Sequence, residues 1–158
     1  MKRLVAAGLI GLVFLVSALH AEASMMTTLS SWLDKHDLKY EKVGERTYSL
    51  AFESNNHPNL FVFVMVSKKG DYVSIFSPVM KVPEDAPKSF YQHLLELNEN
   101  LWQAKFGLDS DNQILYFEFE VPTRLIDEEE FISDIALVAK KVDELYPTLA
   151  KKAGLSEQ

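Results

Sequence analysis

Apolar and polar residues alternate most clearly in the stretch from 114 to 121. A period of two is typical of a β-strand that has one face in a core and the other nearer to water. The core face would consist of Leu115, Phe117, Phe119 and Val121, and the outer face of Tyr116, Glu118 and Glu120. The preceding residues, Asp109–Asn112, favour a tight turn, because Asp, Ser and Asn side chains bond their own backbone and tolerate left-handed conformations. The pattern therefore predicts that this strand closes a β-hairpin.

Further strands are predicted before this hairpin. Residues 47–53 alternate, residues 72–77 return after a turn at Lys68–Asp71, and residues 37–43 form a weaker candidate. The segment Leu60–Val66 is apolar on both faces. Such a strand either lies under the protein's own helices on both sides, which we favour, or presents one face to another molecule.

Three segments show helical spacing. Leu29, Trp32 and Leu33 mark a short first helix. The second carries the stripe Phe90, Leu94, Leu97 and Leu101. The third begins at Asp127, which can cap it, and its stripe consists of Phe131, Ile135, Val138, Val142, Leu145 and Leu149. Asn98 lies beside the second stripe, and we expect its amide to bond the backbone where the helix leads to the next strand.

The predicted element order is α-β-β-β-α-β-β-α, and an extra strand at 37–43 is left open. Consecutive antiparallel strands with interspersed helices indicate the α+β class, with a single antiparallel β-sheet packed against helices. We find no internal repeat, and residues 24–158 suffice for one domain.

The N-terminal residues 1–23 have the pattern of a signal peptide. Lys2 and Arg3 precede an apolar run from 4 to 19, and Ala21 and Ala23 supply the small residues of a cleavage site. The run of 16 residues is short against the ~20 that a spanning helix needs. We therefore expect cleavage near Ala23, a periplasmic or secreted product, and no stable membrane anchor.

Charge and cysteine content exclude several classes of function. The formal net charge is −7, and no run of Lys or Arg exceeds two residues, so a nucleic-acid partner is not expected. The chain has no Cys, which excludes thiol catalysis, Cys-based metal sites and a lipid-modified N-terminus.

Candidate catalytic and metal-binding residues have simpler explanations. His57 lies in the loop SNNHPN, where we expect a solvated side chain, and His36 is expected at the edge of the core. The acidic cluster Asp127–Glu130 lacks the alternate ligand positions and the glycine of a calcium loop, and it fits a helix start instead. Glu118 and Glu120 are expected on a solvated strand face. The sequence thus predicts no enzyme activity, no cofactor and no metal.

The passage LLELNENLWQAKFGLD, followed by an alternating strand and a long helix ending in ELYPTL, resembles the YbjN family over 29–149. That family shares its fold with type III secretion chaperones of the Tir-chaperone type. The resemblance implies an antiparallel sheet packed against helices and binding of proteins or extended peptides, often as a dimer. It does not imply escort of effectors, because secretion chaperones work in the cytoplasm and this chain carries an export signal.

Two hypotheses of function follow. The first is an exported, non-enzymatic module, chaperone-like or regulatory, that binds a protein or peptide or a second copy of itself. Its partner-binding residues would be Phe61, Phe63, Met65 and Tyr116, exposed in rows along the strands. The second is a periplasmic carrier with a pocket for a small apolar ligand between sheet and helices.

Overall fold

The computed structural model describes residues 24–155. The predicted signal peptide, 1–23, lies outside the described residues. A first helix, α1, covers 24–35. The elements that follow are β1 (Glu41–Gly44), β2 (Thr47–Phe52), β3 (Leu60–Val66), β4 (Tyr72–Lys81), α2 (Lys88–Glu99), β5 (Ala104–Asp109), β6 (Ile114–Pro122) and α3 (Glu128–Lys152).

The strands form one six-stranded sheet in the order β1-β2-β3-β4-β6-β5, and every pair is antiparallel. The predicted α+β class with a single antiparallel sheet is confirmed. The extra strand that the sequence left open is present as β1, so four strands precede α2. It begins at Glu41 and ends at Gly44, and all of its residues are exposed.

The core lies between one face of the sheet and the helices. Phe90 of α2, Phe117 of β6 and Phe131 of α3 are almost completely buried there. The predicted stripe of α3 is buried at five of its six positions, while Leu145 is only partly buried. This side of the sheet is closed by the protein's own helices.

Local signals in the sequence fix the connections. Asp127 caps α3 by accepting a hydrogen bond from the backbone N–H of Glu130. In the β5–β6 turn, the Asp109 carboxylate accepts from the backbone N–H groups of Asp111 and Asn112. Asn98 bonds the backbone of Phe106 in β5, as predicted.

Candidate functional site

No helix within residues 24–155 covers the second face of the sheet. In β3, the buried residues Leu60, Val62, Val64 and Val66 alternate with three less buried ones, Phe61, Phe63 and Met65. Phe61 is 42% exposed. The expectation that the protein's own helices cover both faces of β3 is therefore wrong. All three helices pack on one side, since they share a single core with the buried residues of the strands.

Strand register brings the aromatic residues of this second side together. Phe63 lies opposite Phe76 of β4, and their rings stack with centroids 5.4 Å apart. Pro78 of β4 lies opposite Tyr116 of β6. We call this surface the open face; it consists of Phe61, Phe63, Met65, Phe76, Pro78 and Tyr116. The four residues that the sequence proposed for partner binding are thus on one surface, three from β3 and one from β6.

Phe76 and Pro78 were missed by the sequence reasoning, which ended the strand at 77. The observed strand β4 runs to Lys81 with an irregularity in register between Pro78 and Met80. The sequence contained the information needed to find them, because Tyr72, Ser74, Phe76 and Pro78 are alternate residues and therefore lie on one face of the strand. Proline at a position opposite Tyr116 is tolerated where the ladder is irregular.

Tyr116 lies flat against the sheet because its neighbour on β5 is Gly107. A Cβ on Gly107 would come within 2.3 Å of the Tyr116 ring. The ring therefore covers the glycine and fills the place of its missing side chain, as aromatic residues do beside strand glycines. This contact places the Tyr116 ring over β5 at one border of the open face.

A charged rim borders the open face on β6 and β5. The Lys105 ammonium lies 2.7 Å from the Glu120 carboxylate and 3.6 Å from that of Glu118. Glu118 also accepts a hydrogen bond of 2.6 Å from the Ser74 hydroxyl. The hydrogen bond to Glu120 raises the pKa of Lys105 above its usual value, against a smaller effect of burial. Two carboxylates thus share one ammonium group, and the rim carries a net negative charge.

The open face continues into a groove at the end of β3 and β4. The groove has a volume of about 530 Å³ and is mostly apolar. Its lining includes Phe61, Phe63, Pro78 and Ile114 of the strands, together with His57 and Tyr146. Because it shares two phenylalanines with the open face, the two surfaces are continuous.

The loop 54–59, which contributes His57, Pro58 and Asn59 to the groove, is held in place by α3. The Asp143 carboxylate accepts hydrogen bonds from the backbone N–H groups of Asn55, Asn56 and His57. Burial opposes ionisation of this group, but these N–H donors lower the pKa of Asp143 overall. The carboxylate is therefore a structural anchor of the loop at neutral pH.

His57 is not the solvated loop histidine that the sequence predicted. Its Nδ1 accepts from the backbone N–H of Asn59, so in the neutral ring Nε2 carries the proton and donates to the Val79 carbonyl, 2.7 Å away. The ring also packs edge-on against Tyr146. Because both ring nitrogens are hydrogen-bonded to the backbone, we assign His57 a structural role.

Asp134 of α3 is the buried acid of the helical layer. It is 7% exposed, and its Oδ2 has no hydrogen-bond partner. Burial, with a smaller effect of Glu130, raises the pKa of Asp134 to about 6. The group belongs to α3 and not to the open face, and no sequence pattern singled it out.

Among residues 24–155, no group of three or more His, Asp or Glu side chains is placed to hold a metal ion. No helix within the same range is both long and apolar enough to cross a membrane. Trp102, which is 90% exposed, and Leu95, which is 70% exposed, are large apolar side chains that are not among the residues of the open face.

Comparison with protein families gives one match over most of the chain. The model of the YbjN family, described as "Putative bacterial sensory transduction regulator", matches residues 26–151. No curated protein matches the chain.

Three solved structures have a similar fold at low sequence identity. The ExsC–ExsE complex gives a TM-score of 0.62 at 15% identity, over 81% of this chain and 95% of the other. YbjN from E. coli, "a putative transcription regulator", gives 0.61 at 15% identity, over 79% and 90%. The ExoU–SpcU complex of the Pseudomonas aeruginosa type III secretion system gives 0.53 at 16% identity, over 75% and 94%.

Proposed function

The chain belongs to the YbjN family, and on that premise we propose that it is a non-enzymatic module that binds a segment of another protein. The binding site is the open face of the sheet together with the adjoining groove. A regulatory or chaperone-like role follows from such binding. The observation that carries the proposal is the continuous aromatic surface that the helices within residues 24–155 leave uncovered.

The dimensions of the open face suit a short segment rather than a whole domain. From Phe61 to Met65 it is about 13 Å long, and from β3 across β4 to β6 it is about 10 Å wide. A stable interface between two folded domains buries about 800 Å² on each side, which is several times this area. A segment that continues into the groove at Ile114 would gain additional apolar contact.

The rim indicates the charge of the partner. Glu118 and Glu120 share Lys105, and Glu120 is 47% exposed at its side chain. A Lys or Arg of the partner would pair with Glu120 while apolar side chains cover Phe63 and Phe76. A flat aromatic surface could also stack nucleic-acid bases. The same carboxylates, on a chain of net charge −7, would however repel the phosphate backbone of a nucleic acid.

The similar solved structures support protein binding as the use of this fold. ExsC is seen in complex with ExsE, and SpcU in complex with ExoU. At these identities the likeness concerns the fold alone. The surface that our proposal names rests on the residues of this chain.

The proposal includes export. Lys2 and Arg3, the apolar run that follows, and the small residues Ala21 and Ala23 support a signal peptide cleaved near Ala23. The binding module would then work in the periplasm or outside the cell. Intact mass measurement of the protein from the periplasmic fraction tests the cleavage: a mass that still includes 1–23 would contradict it.

Variants of the open face test the binding. We would immobilise the mature chain, residues 24–158, capture proteins from periplasmic extract under mild crosslinking, and compare Phe61→Ser/Phe63→Ser with Leu95→Ser. Leu95 is an equally apolar but more exposed residue away from the site, and its substitution should leave capture unchanged. We expect the double variant to lose the partner while its circular dichroism spectrum stays that of the unaltered protein.

A second variant avoids any loss of packing. Glu120→Lys reverses a charge at the rim and removes no apolar contact, so we expect weaker capture at low salt and a smaller effect at high salt. A partner that binds both variants as well as the unaltered chain would refute the open face as the site. Size-exclusion chromatography with light scattering distinguishes a second copy of the chain from a foreign partner.

The groove favours a second candidate function, a carrier of a small apolar ligand. The expected pocket between sheet and helices is filled by Phe90, Phe117 and Phe131, but the groove has apolar walls and a volume of about 530 Å³. Native mass spectrometry would show a ligand as an excess mass that denaturation removes. A clean polypeptide mass would contradict the carrier and leave the protein-binding proposal untouched.

A further inference from the structure

We infer that Asn98 closes the β5 edge of the sheet against the addition of another strand, in particular against β5 of a second copy of this chain. Among the strands of residues 24–155, the edge strand β5 pairs only with β6. An edge with free N–H and C=O groups is a template for pairing with another chain. This inference concerns the edge and does not depend on the proposed function of the open face.

The evidence is a pair of hydrogen bonds between one side chain and one backbone residue. The Asn98 amide nitrogen donates to the Phe106 carbonyl at 3.1 Å, and the Phe106 N–H donates to the Asn98 carbonyl oxygen at 2.7 Å. A residue of an additional antiparallel strand would make this same pair of bonds with its own backbone. The side chain of Asn98 therefore occupies the place of a seventh strand.

Register shows which groups of β5 point away from the sheet. In an antiparallel pair, residues that exchange hydrogen bonds alternate with residues that do not. Because the backbone of Phe106 is bonded to Asn98, Phe106 does not exchange hydrogen bonds with its partner Phe117. By the alternation, Ala104 and Leu108 do not exchange hydrogen bonds with their β6 partners either, so their backbone groups also point away from the sheet. Asn98 blocks the middle one of these three outward positions, so no continuous ladder can form along the strand.

The opposite edge is protected by its shape. The strand β1 has four residues, and its register with β2 shifts between Lys42 and Gly44. Short and irregular edge strands are poor templates for pairing. Within the described residues both edges of the sheet are thus poor templates for strand addition.

The test compares three substitutions at position 98. Asn98→Ala removes the side chain that is bonded to the Phe106 backbone. We then expect self-association to strengthen on the order of tenfold or more, because the β5 edges of two copies can pair. Asn98→Asp keeps the side chain in place and the acceptor for the Phe106 N–H but sets a carboxylate oxygen against the Phe106 carbonyl. It should therefore lower stability without causing association. Asn100→Ala removes an exposed helix-end amide that bonds Glu96 and should change neither property.

A second substitution identifies the edge as the site of association. Leu108→Pro removes an outward N–H of β5 that bonds to no strand within residues 24–155, so Asn98→Ala/Leu108→Pro should return to the oligomeric state of the unaltered protein. Sedimentation velocity over a concentration series measures each variant. Association of Asn98→Asp as strong as that of Asn98→Ala, or a folded Asn98→Ala that associates no more than the unaltered chain, would overturn the inference.

Hydrogen exchange provides a test that needs no variant. In the unaltered protein, the Phe106 amide should exchange about fivefold to tenfold more slowly than that of Leu108, because only the former donates to a protein acceptor. Equal rates for these two amides would refute the closed edge even if Asn98→Ala failed to fold.

Discussion

Replacing the buried acid Asp134 with Asn should stabilise the protein at neutral pH. Asp134 is 7% exposed, and its Oδ2 has no hydrogen-bond partner. An ionised carboxylate in such a place costs free energy because it has lost its water and gained no donor in exchange. Asn has nearly the same shape and carries no charge, so the substitution removes that cost and leaves the packing of α3 in place.

The magnitude follows from the pKa of Asp134, which burial raises from 3.8 to about 6. Because the pKa is higher in the folded state, that state binds more protons than the unfolded one between these two values. The penalty is therefore complete above pH 6 and vanishes below 3.8. A difference of this size corresponds to about 2–3 kcal/mol of lost stability at neutral pH.

Urea unfolding at about pH 7.5 and about pH 4.5 measures the effect, since the linear extrapolation gives the free energy of unfolding at each pH. We expect Asp134→Asn to be more stable than the unaltered protein at the higher pH and to lose most of that gain at the lower one. Glu129→Gln, an exposed acid of the same helix, is the control for removing one negative charge. An equal gain at both pH values, or none, would refute the explanation by burial of charge.

Three further predictions concern the site and its supports. Gly107→Ala should displace the Tyr116 ring, which lies 2.3 Å from the added Cβ, and lower the free energy of unfolding by about 1–3 kcal/mol; a crystal structure with the ring unmoved would contradict this. Asp143→Ala should free the three loop amides that the carboxylate binds and speed their hydrogen exchange, while the amides of β6 stay protected; unchanged loop exchange would show that the anchor is dispensable. Asp127→Ala should lower the free energy of unfolding by about 1 kcal/mol through loss of the cap on the Glu130 N–H, as measured in urea, whereas Asp127→Asn should retain most of it.

The elements predicted best are those whose signals are local. The alternation in β6 and the stripe of α3 each concern neighbouring residues, and both were found where the pattern placed them. The cap at Asp127 and the turn at Asp109 are of the same kind, because side chain and backbone lie within three residues of each other. The hydrogen bonds of Asn98 to the backbone near the end of α2 were also predicted, because a half-buried amide must find hydrogen-bond partners.

The wrong predictions concern residues whose surroundings are set by contacts with residues distant in sequence. His57 was expected in solvent, and its ring instead bonds Val79 and packs on Tyr146, neither of which is near it in sequence. The strand Leu60–Val66 was expected under helices on both sides. Its continuous apolar run only shows that both faces are apolar, and it contains no information about what covers them.

The sequence by itself determined the element types, the α+β class and the family, because these depend on periodicity, capping and turn chemistry along the chain. Only the tertiary structure decided that all three helices pack on one face and that β4 lies between β3 and β6. That order brings Phe63, Phe76 and Tyr116 onto one surface, although 53 positions separate the first from the last. Strand order and helix side are set by the free energy of burying the whole core, a sum over distant pairs that no local pattern contains.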